Sequence, residues 1–339
     1  MLTLGIDTSC DDTGVAIVED FTRIRANVIS SQGIHLEYGG VVPELASRAH
    51  LTLLLPALDG VFEQSKLRPE QLDAIAVTRG PGLAGCLLIG VSVARTLSLT
   101  WKRPVIGVNH LEGHIFAGRL ADPSLTPPFV ALIVSGGHTL LTLVRDWGDY
   151  VLLGQTRDDA AGEAFDKVSK LLGTGFPGGP VIDRLAEKGD SAFIGFPRPF
   201  LDRVGYEFSF SGIKTAVRTY LAGKPAEVVQ RDLVHIAASF QAAVVEVLTE
   251  KTVQAARMAG VTHILLTGGV ACNRALRAKM TERGKPLGLS VCYPPPVLST
   301  DNGAMIAAAG AFRFAHCPGH SKLSVDPRAV LETSPTTKP

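Results

Sequence analysis

Leu4-Gly-Ile-Asp7-Thr8-Ser9-Cys10-Asp11-Asp12-Thr13-Gly14-Val-Ala-Ile-Val18 is an apolar run that enters a turn of Thr, Ser and Asp and leaves it apolar again. Val130-Ala-Leu-Ile-Val-Ser135-Gly136-Gly137-His138-Thr139-Leu-Leu-Thr-Leu-Val144 repeats the plan. Each reads as two strands joined by a turn rich in hydroxyls and backbone N–H groups, without bulk to keep an anion away. Two such hairpins suggest a duplicated fold that clamps one phosphate-bearing ligand between its halves.

Outward from each hairpin the same order recurs. After the first come a strand near Ile24–Ser30, a helix from Pro43 to Gln64, a buried strand at Asp73–Thr78 and a small-residue helix to Leu99. Pro104–Val108 is the next strand. After the second come a strand at Tyr150–Thr156, a helix at Ala160–Leu172 and a helical region from Ile213 to Met258. Strands at His263–Thr267 and Ser290–Tyr293 follow, then an Ala-rich helix at Asn302–Ala315. Three strands and then alternating helix and strand, given twice, predict an α/β chain with a two-domain, actin-like ATPase fold of duplicated ribonuclease H-like halves. The expected domains are residues 1–109 and 110–325, with the last helix able to pack back on the first, and 326–339 as a flexible tail.

With 46% hydrophobic and 19% charged residues, the 339-residue chain has enough apolar mass for two cores and excludes a disordered protein. Its net charge of +1 argues against a dedicated nucleic-acid binder, so any RNA must meet a local patch or be gripped jointly with a partner. Five scattered cysteines without a C-x-x-C pair fit reduced thiols in a cytoplasm. No basic leader is visible, and no apolar run is read as approaching the ~20 residues that span a bilayer.

His110 and His114 are four apart on a predicted helix, so their imidazoles share a face and can hold one metal. Glu112 is misplaced for the H-E-x-x-H pattern of zinc proteases. Asp301 is the candidate third ligand, with capping of the last helix as the competing reading. Ser135-Gly136-Gly137 reads either as a plain tight turn or as an anion cradle. Gly268-Gly269, between strand and helix, lets a ligand approach the backbone, and Asn273 beyond it either bonds a nucleoside or caps its helix. Pro177-Gly178-Gly179-Pro180 is a further glycine turn, with Asp183 one turn into the next helix. Asp166 falls off the apolar stripe of its helix and faces either solvent or ligand. Arg198, Arg203, Lys214 and Arg218, interleaved with Phe196, Phe200, Tyr206, Phe208 and Phe210, are a candidate RNA-facing surface. Arg274, Arg277, Lys279, Arg283 and Lys285 form a second basic run.

Together these motifs resemble the TsaD family of tRNA N6-adenosine threonylcarbamoyltransferases, relatives of the archaeal and eukaryotic Kae proteins. Gly5-Ile-Asp-Thr-Ser-Cys-Asp11, Asn109-His-Leu-Glu-Gly-His114, Leu132-Ile-Val-Ser-Gly-Gly-His138 and Gly162-Glu-Ala-Phe-Asp-Lys167 carry the resemblance. Pro177-Gly-Gly-Pro180, Phe208-Ser-Phe-Ser-Gly-Ile-Lys214, Gly268-Gly-Val-Ala-Cys-Asn273 and Thr300-Asp-Asn302 continue it. It implies one divalent metal, iron(II) or alternatively zinc, on His110, His114 and Asp301. It also implies that Ile133, Val134, Ser135, Gly136, Gly137, Asp166, Gly179, Asp183 and Asn273 line a pocket for threonylcarbamoyl-AMP between the domains. The acceptor would be the adenosine next to the anticodon, position 37, in tRNAs that read codons beginning with A. The implied helpers are a degenerate paralogue, TsaB, pairing through the N-terminal domain, and a small ATPase, TsaE. Many family members carry Glu where this chain has Asp12, one methylene shorter.

The mixed anhydride of threonylcarbamoyl-AMP is already activated, which agrees with the lack of a visible Ser-His-Asp or Cys-His arrangement. Asp11 and Asp12 are the candidates for a general base. The competing classes are a metal-dependent protease, invited by the histidine pair, and an actin-fold ATPase or kinase.

Overall fold

The computed structural model describes residues 1–316 and 323–331 and groups them into two compact units. Unit 1 comprises Met1–Thr126, Asp146–Tyr150 and the chain from Pro294 onward; unit 2 comprises Pro127–Arg145 and Val151–Tyr293.

Unit 1 holds β1 (Leu2–Asp7), β2 (Asp12–Glu19), β3 (Arg23–Ser31), α1 (Pro43–Ser65), β4 (Ala74–Gly80), α2 (Ala84–Trp101), β5 (Val105–Asn109) and α3 (His110–Ala121). Its sheet runs β3-β2-β1-β4-β5. The β1–β2–β3 meander is antiparallel, while β4 and β5 join parallel to β1. Unit 2 contains β6 (Phe129–Val134), β7 (Thr139–Asp146), β8 (Asp149–Gln155), α4 (Ala161–Leu171), α5 (Gly178–Ala186), α6 (Ser211–Leu221) and α7 (Ala226–Met258). It continues with β9 (His263–Thr267), α8 (Arg274–Gly284) and β10 (Ser290–Cys292). Its sheet order, β8-β7-β6-β9-β10, repeats that of unit 1 strand for strand. Again the hairpin is antiparallel and the later strands are parallel. This is the duplicated topology of the actin-like ATPase fold.

The chain closes with α9 (Pro296–Ser299) and α10 (Gly303–His316), both in unit 1. β1 is buried along both faces because helices cover each. Leu4 and Ile6 pack with Leu54, Leu58 and Val61 of α1 and Val91 of α2. The opposite face takes α10, and there the backbones touch: a Cβ on Gly5 would fall on Gly303 O and Ala307 N. Unit 2 has its own core, in which Leu132 and Val134 meet Phe165, Phe240 and Leu266.

Four expectations are corrected. The boundary after residue 109 does not follow the compact units, because α3 and α10 pack on each other and α10 packs on the first sheet. The expected tail is tied down where it is described: Asp326 N donates to Arg79 O at 2.8 Å, Asn109 Nδ2 donates to Val330 O at 2.7 Å, and Ala329 is buried. Residues 332–339 lie outside the described part. The helical region from Ile213 is two helices, broken where Gly223 turns left-handed (φ +76°) ahead of Pro225. Finally, α2 and α7 are long and apolar enough to cross a membrane by composition, contrary to the expectation of no such run. For α7, 78% of the apolar stretch is buried, as in a core helix, whereas α2 turns Leu88 and Leu99 outward among Ser92, Arg95 and Thr96.

The close approach of β1 and α10 fixes where Asp301 can lie, one turn ahead of that contact. Gly5→Ala should cost about 3 kcal/mol of unfolding free energy by overpacking a backbone contact. Denaturant titration checks this; an unshifted midpoint would mean that α10 can move away freely.

Candidate metal centre and ligand turns

β5 delivers Asn109 to the start of α3, where its Oδ1 accepts from Leu111 N at 2.9 Å and starts the helix. His110 and His114 then lie on one face of α3, with ring centroids 4.8 Å apart and edge to face. At the start of α10 it is Asn302 that takes the capping position, accepting from Met305 N at 3.0 Å. Asp301 is thereby left to face the histidines. Its Oδ1 is 3.5 Å from His110 Nε2 and 3.4 Å from His114 Nε2, and its side chain keeps 21% exposure.

The three donor atoms lie within 4.8 Å of one another. Ligand atoms about 2.1 Å from a common four-coordinate ion stand roughly 3.4 Å apart, so the spacing suits one ion better than direct hydrogen bonds. Two imidazoles and a carboxylate are a donor set for iron(II) or zinc. The arrangement fits a single metal ion.

Two neighbours escaped the sequence reading. Asp7, fully buried, sets Oδ2 3.4 Å from His110 Nδ1, while its Oδ1 accepts from Ser9 N (3.1 Å) and Thr78 Oγ1 (2.8 Å). A carboxylate behind a ligating imidazole orients the ring. Ser9 Oγ donates to Asp301 Oδ2 at 3.4 Å. The signal was present, since Asp7 ends a buried strand in a turn, but alternation alone gives no reason to choose it over Asp11.

Charge explains the state of the set without an ion. Burial opposes the charged imidazole, but the carboxylates of Asp301 and Asp7 outweigh it and lift His110 to about 10. Burial likewise works to raise Asp301, and His110 and His114 overcome it, holding the carboxyl well below its ordinary range. His110 and Asp301 therefore stand as an ion pair at neutral pH.

Asp11 and Asp12 follow in the same turn. Asp12 is lifted to about 7, first by burial and then by the charges of Asp301, Asp11 and Asp7, against the hydrogen bond of Ser31. His50, fully buried, pins this turn: Nδ1 is 2.8 Å from Thr13 Oγ1 and Nε2 is 2.9 Å from Cys10 O.

The residues expected at the adenylate lie in unit 2. The side chains of Ile133 and Val134 are fully buried in β6 and serve to hold the turn that follows. In that turn Ser135 N donates to His138 O at 2.8 Å, and Gly162 N at the start of α4 donates to Ser135 O at 3.2 Å. Gly136 and Gly137 are exposed, with open space where a Cβ would point. Gly268 (φ +94°) brings the other glycine turn against Val134 O, an approach no side chain would allow.

Asp166 faces neither solvent nor an open ligand site alone, since its Oδ1 accepts from Gly178 N at 2.7 Å and ties α4 to the turn containing Gly179. Asn273 does cap α8, accepting from Leu276 N at 2.9 Å, and its amide donates to Gln241 at 2.7 Å. Asp183 accepts from Arg274 Nε at 2.7 Å. A cavity of about 950 Å³ between α5, α7 and α8 is lined by Asp183, Gln241 and Arg274.

In the aromatic–basic run three rings are core, Phe196, Phe208 and Phe210 being buried with Phe165 and Phe240, whereas Phe200 and Tyr206 are half-buried and Arg203 and Arg218 are exposed. In the second run Arg274, Lys279 and Arg283 pair with Asp183, Glu282 and Glu250, and Arg277 stacks on Tyr293.

The model of the TsaD family, tRNA N6-adenosine threonylcarbamoyltransferase, matches residues 23–308. The chain belongs to the TsaD family. A tRNA N6-adenosine threonylcarbamoyltransferase of Thermomicrobium roseum is 51% identical over 357 aligned positions, covering 98% of this chain and 96% of that one. The Clostridioides difficile protein of the same name is 47% identical, covering 94% and 95%. Among solved structures, HypF of T. kodakarensis superposes with a TM-score of 0.62 at 16% identity, over 92% of this chain and 47% of that one. Component A of the Acidaminococcus fermentans (R)-2-hydroxyglutaryl-CoA dehydratase gives 0.53 at 17% identity, over 93% and 99%. At such identities the two structures speak for the fold alone.

Two tests follow for this TsaD family member. An ion needs neutral His110, so binding at pH 7 should release about one proton per ion, read by calorimetry in buffers of different ionisation enthalpy. No release would contradict the ion pair. Asp12 binds its proton more tightly folded than unfolded, so its contribution to metal-free stability should fall as pH rises from about 4 to about 7, and His110, lifted to about 10, continues the fall above about 6.5. Asp12→Asn should remove the first part of that fall in melts across this range; an unchanged slope there would overturn the assignment to Asp12.

Proposed function

We propose that this enzyme of tRNA modification takes threonylcarbamoyl-AMP as donor and the N6 amine of the adenosine at position 37, beside the anticodon, as acceptor. The match to the TsaD family over residues 23–308 carries the reading, and the convergence of His110, His114 and Asp301 supports it. The amine attacks the carbamoyl carbon, the new C–N bond forms, the bond from that carbon to the phosphate oxygen breaks, and AMP leaves with the electron pair.

The lone pair of N6 is spread into the purine, so placement supplies much of the acceleration. Gly136 and Gly137 would receive the phosphate on their backbone N–H groups, with Ser135, whose own N–H is held by His138 O, and Ile133 and Val134 fixing the turn. Gly179, Asp183 and Asn273 would line the adenosine side, and Asp166 would hold the Gly179 turn in place. Asp12, lifted to about 7, is the residue poised to accept the N6 proton near neutral pH, with Asp11 beside it as the alternate. His110, His114 and Asp301 would hold the ion, iron(II) by preference and zinc otherwise, which would supply Lewis acidity toward a phosphate or carbamoyl oxygen.

The exposed Leu51, Leu55 and Leu88 on α1 and α2 give the N-terminal sheet an apolar face suited to the paralogue TsaB, with TsaE as the resetting ATPase. The setting is the cytoplasm. The protease reading loses its base, because Glu112 is fully buried and engaged by Arg313 and Tyr150.

Depletion of the protein should remove threonylcarbamoyl-adenosine from tRNA, read by nucleoside mass spectrometry. Wild type should restore it, and His114→Ala should restore less than about one hundredth, the loss typical of a missing transition-state contact. Unchanged modified nucleoside after depletion would overturn the reading.

A further inference from the structure

Glu112 sits on α3 between the two metal-site histidines, two residues from each, and its side chain is fully buried. Residues two apart on a helix point to different faces, so Glu112 is turned away from the imidazoles. Its Oε2 accepts from Arg313 Nε on α10, and its Oε1 accepts from Tyr150 OH at 3.0 Å. Tyr150 OH in turn accepts from Gly148 N at 3.2 Å, which fastens the turn Asp146–Tyr150. Between these contacts and the histidines, Gly113 lets α10 come close: a Cβ there would lie 2.7 Å from Ile306 Cδ1. Helices α3 and α10 are thus joined at Gly113 by packing and at Glu112 by charge.

These are the two helices that present all three ligands, Asp301 lying just ahead of α10. A buried ion pair is a poor source of net stability, because desolvation offsets its attraction, and apolar side chains of similar volume would hold the helices as well. What a two-pronged carboxylate between a guanidinium and a phenol does supply is a fixed axial register and rotation. A slip of α10 along α3 would carry Asp301 off the imidazole face; the Gly5–Gly303 backbone contact opposes it from the sheet side and the Glu112 contacts oppose it from the α3 side.

We propose that Glu112, Arg313 and Tyr150 form a positioning clamp that sets the distance from Asp301 to His110 and His114. None of the three belongs to the ligand set of His110, His114 and Asp301; each acts through the spacing of those ligands. The proposal rests on the reading of His110, His114 and Asp301 as an ion site.

The test uses the purified full-length chain, stripped by chelation and titrated with Co2+, whose visible absorption reports both affinity and ligand geometry. Wild type should take up one ion. Glu112→Gln, which keeps the shape and loses the charge, should bind about tenfold more weakly, with an altered band. Tyr150→Phe should show a smaller loss in the same direction, and it decides the matter if Glu112→Gln gives no cooperative melt. Glu112→Gln also strips Arg313 of this carboxylate and should lower the metal-free melting temperature by itself, so it is the altered Co2+ band in a variant that still melts cooperatively that separates positioning from loss of stability. Variants that fold and bind Co2+ with wild-type affinity and spectrum would overturn the clamp alone. A wild-type chain that takes up no Co2+ would instead overturn the ion-site reading, and the clamp with it.

Discussion

Attraction between two buried imidazoles and one carboxylate is the interaction on which the chemistry of this molecule depends. The histidines come from one helix, and the carboxylate comes from a segment far along the chain that must return to the first sheet. That return is made possible by absence of side chain. Gly5, Gly14 and Gly303 let the first strands and α10 meet backbone to backbone, and a methyl group at any of the three would collide with main chain. Without an ion, His110 and Asp301 satisfy each other as charges. With His114, the same side chains that favour each other's charged forms also have the spacing of ligands to one ion.

Around this set the turn after β1 acts as a second layer. Asp7 orients His110, Ser9 touches Asp301, and His50 fixes the peptide that carries Cys10 and precedes Asp11 and Asp12. The accumulated negative charge of that turn raises Asp12 toward neutrality. One local feature, several carboxylates gathered at the end of a buried strand, thus both favours the charged form of His110 and raises Asp12 to about 7.

Much of this was legible in the residues. Period-two apolar runs around hydroxyl-rich turns marked both hairpins, and the repeated order of strands and helices gave the duplicated topology. His110 and His114 announced themselves by helical spacing. Asp301 did not, since an Asp ahead of a helix is usually its cap, and only three dimensions show Asn302 taking that place. The return of the last helix to the first sheet was expected, but the boundary after residue 109 does not follow the compact units, because α3 stays with the sheet that precedes it and packs on α10. Which aromatic residues near 200 turn inward was not legible, because alternating Phe and Arg looks the same whether the rings face RNA or a core. Burial of Phe208 and Phe210 is a property of the partners they meet.

Family membership gives a tRNA N6-adenosine threonylcarbamoyltransferase, and the geometry adds three side chains whose spacing fits one metal ion. The claim beneath this account is that three side chains hold one ion. Anomalous diffraction at the iron edge, from crystals of the full-length chain grown anaerobically with Fe2+, tests it most directly. The account predicts a single peak within about 2.2 Å of His110 Nε2, His114 Nε2 and an Asp301 carboxylate oxygen. A peak elsewhere, or none in crystals that diffract well, would contradict it.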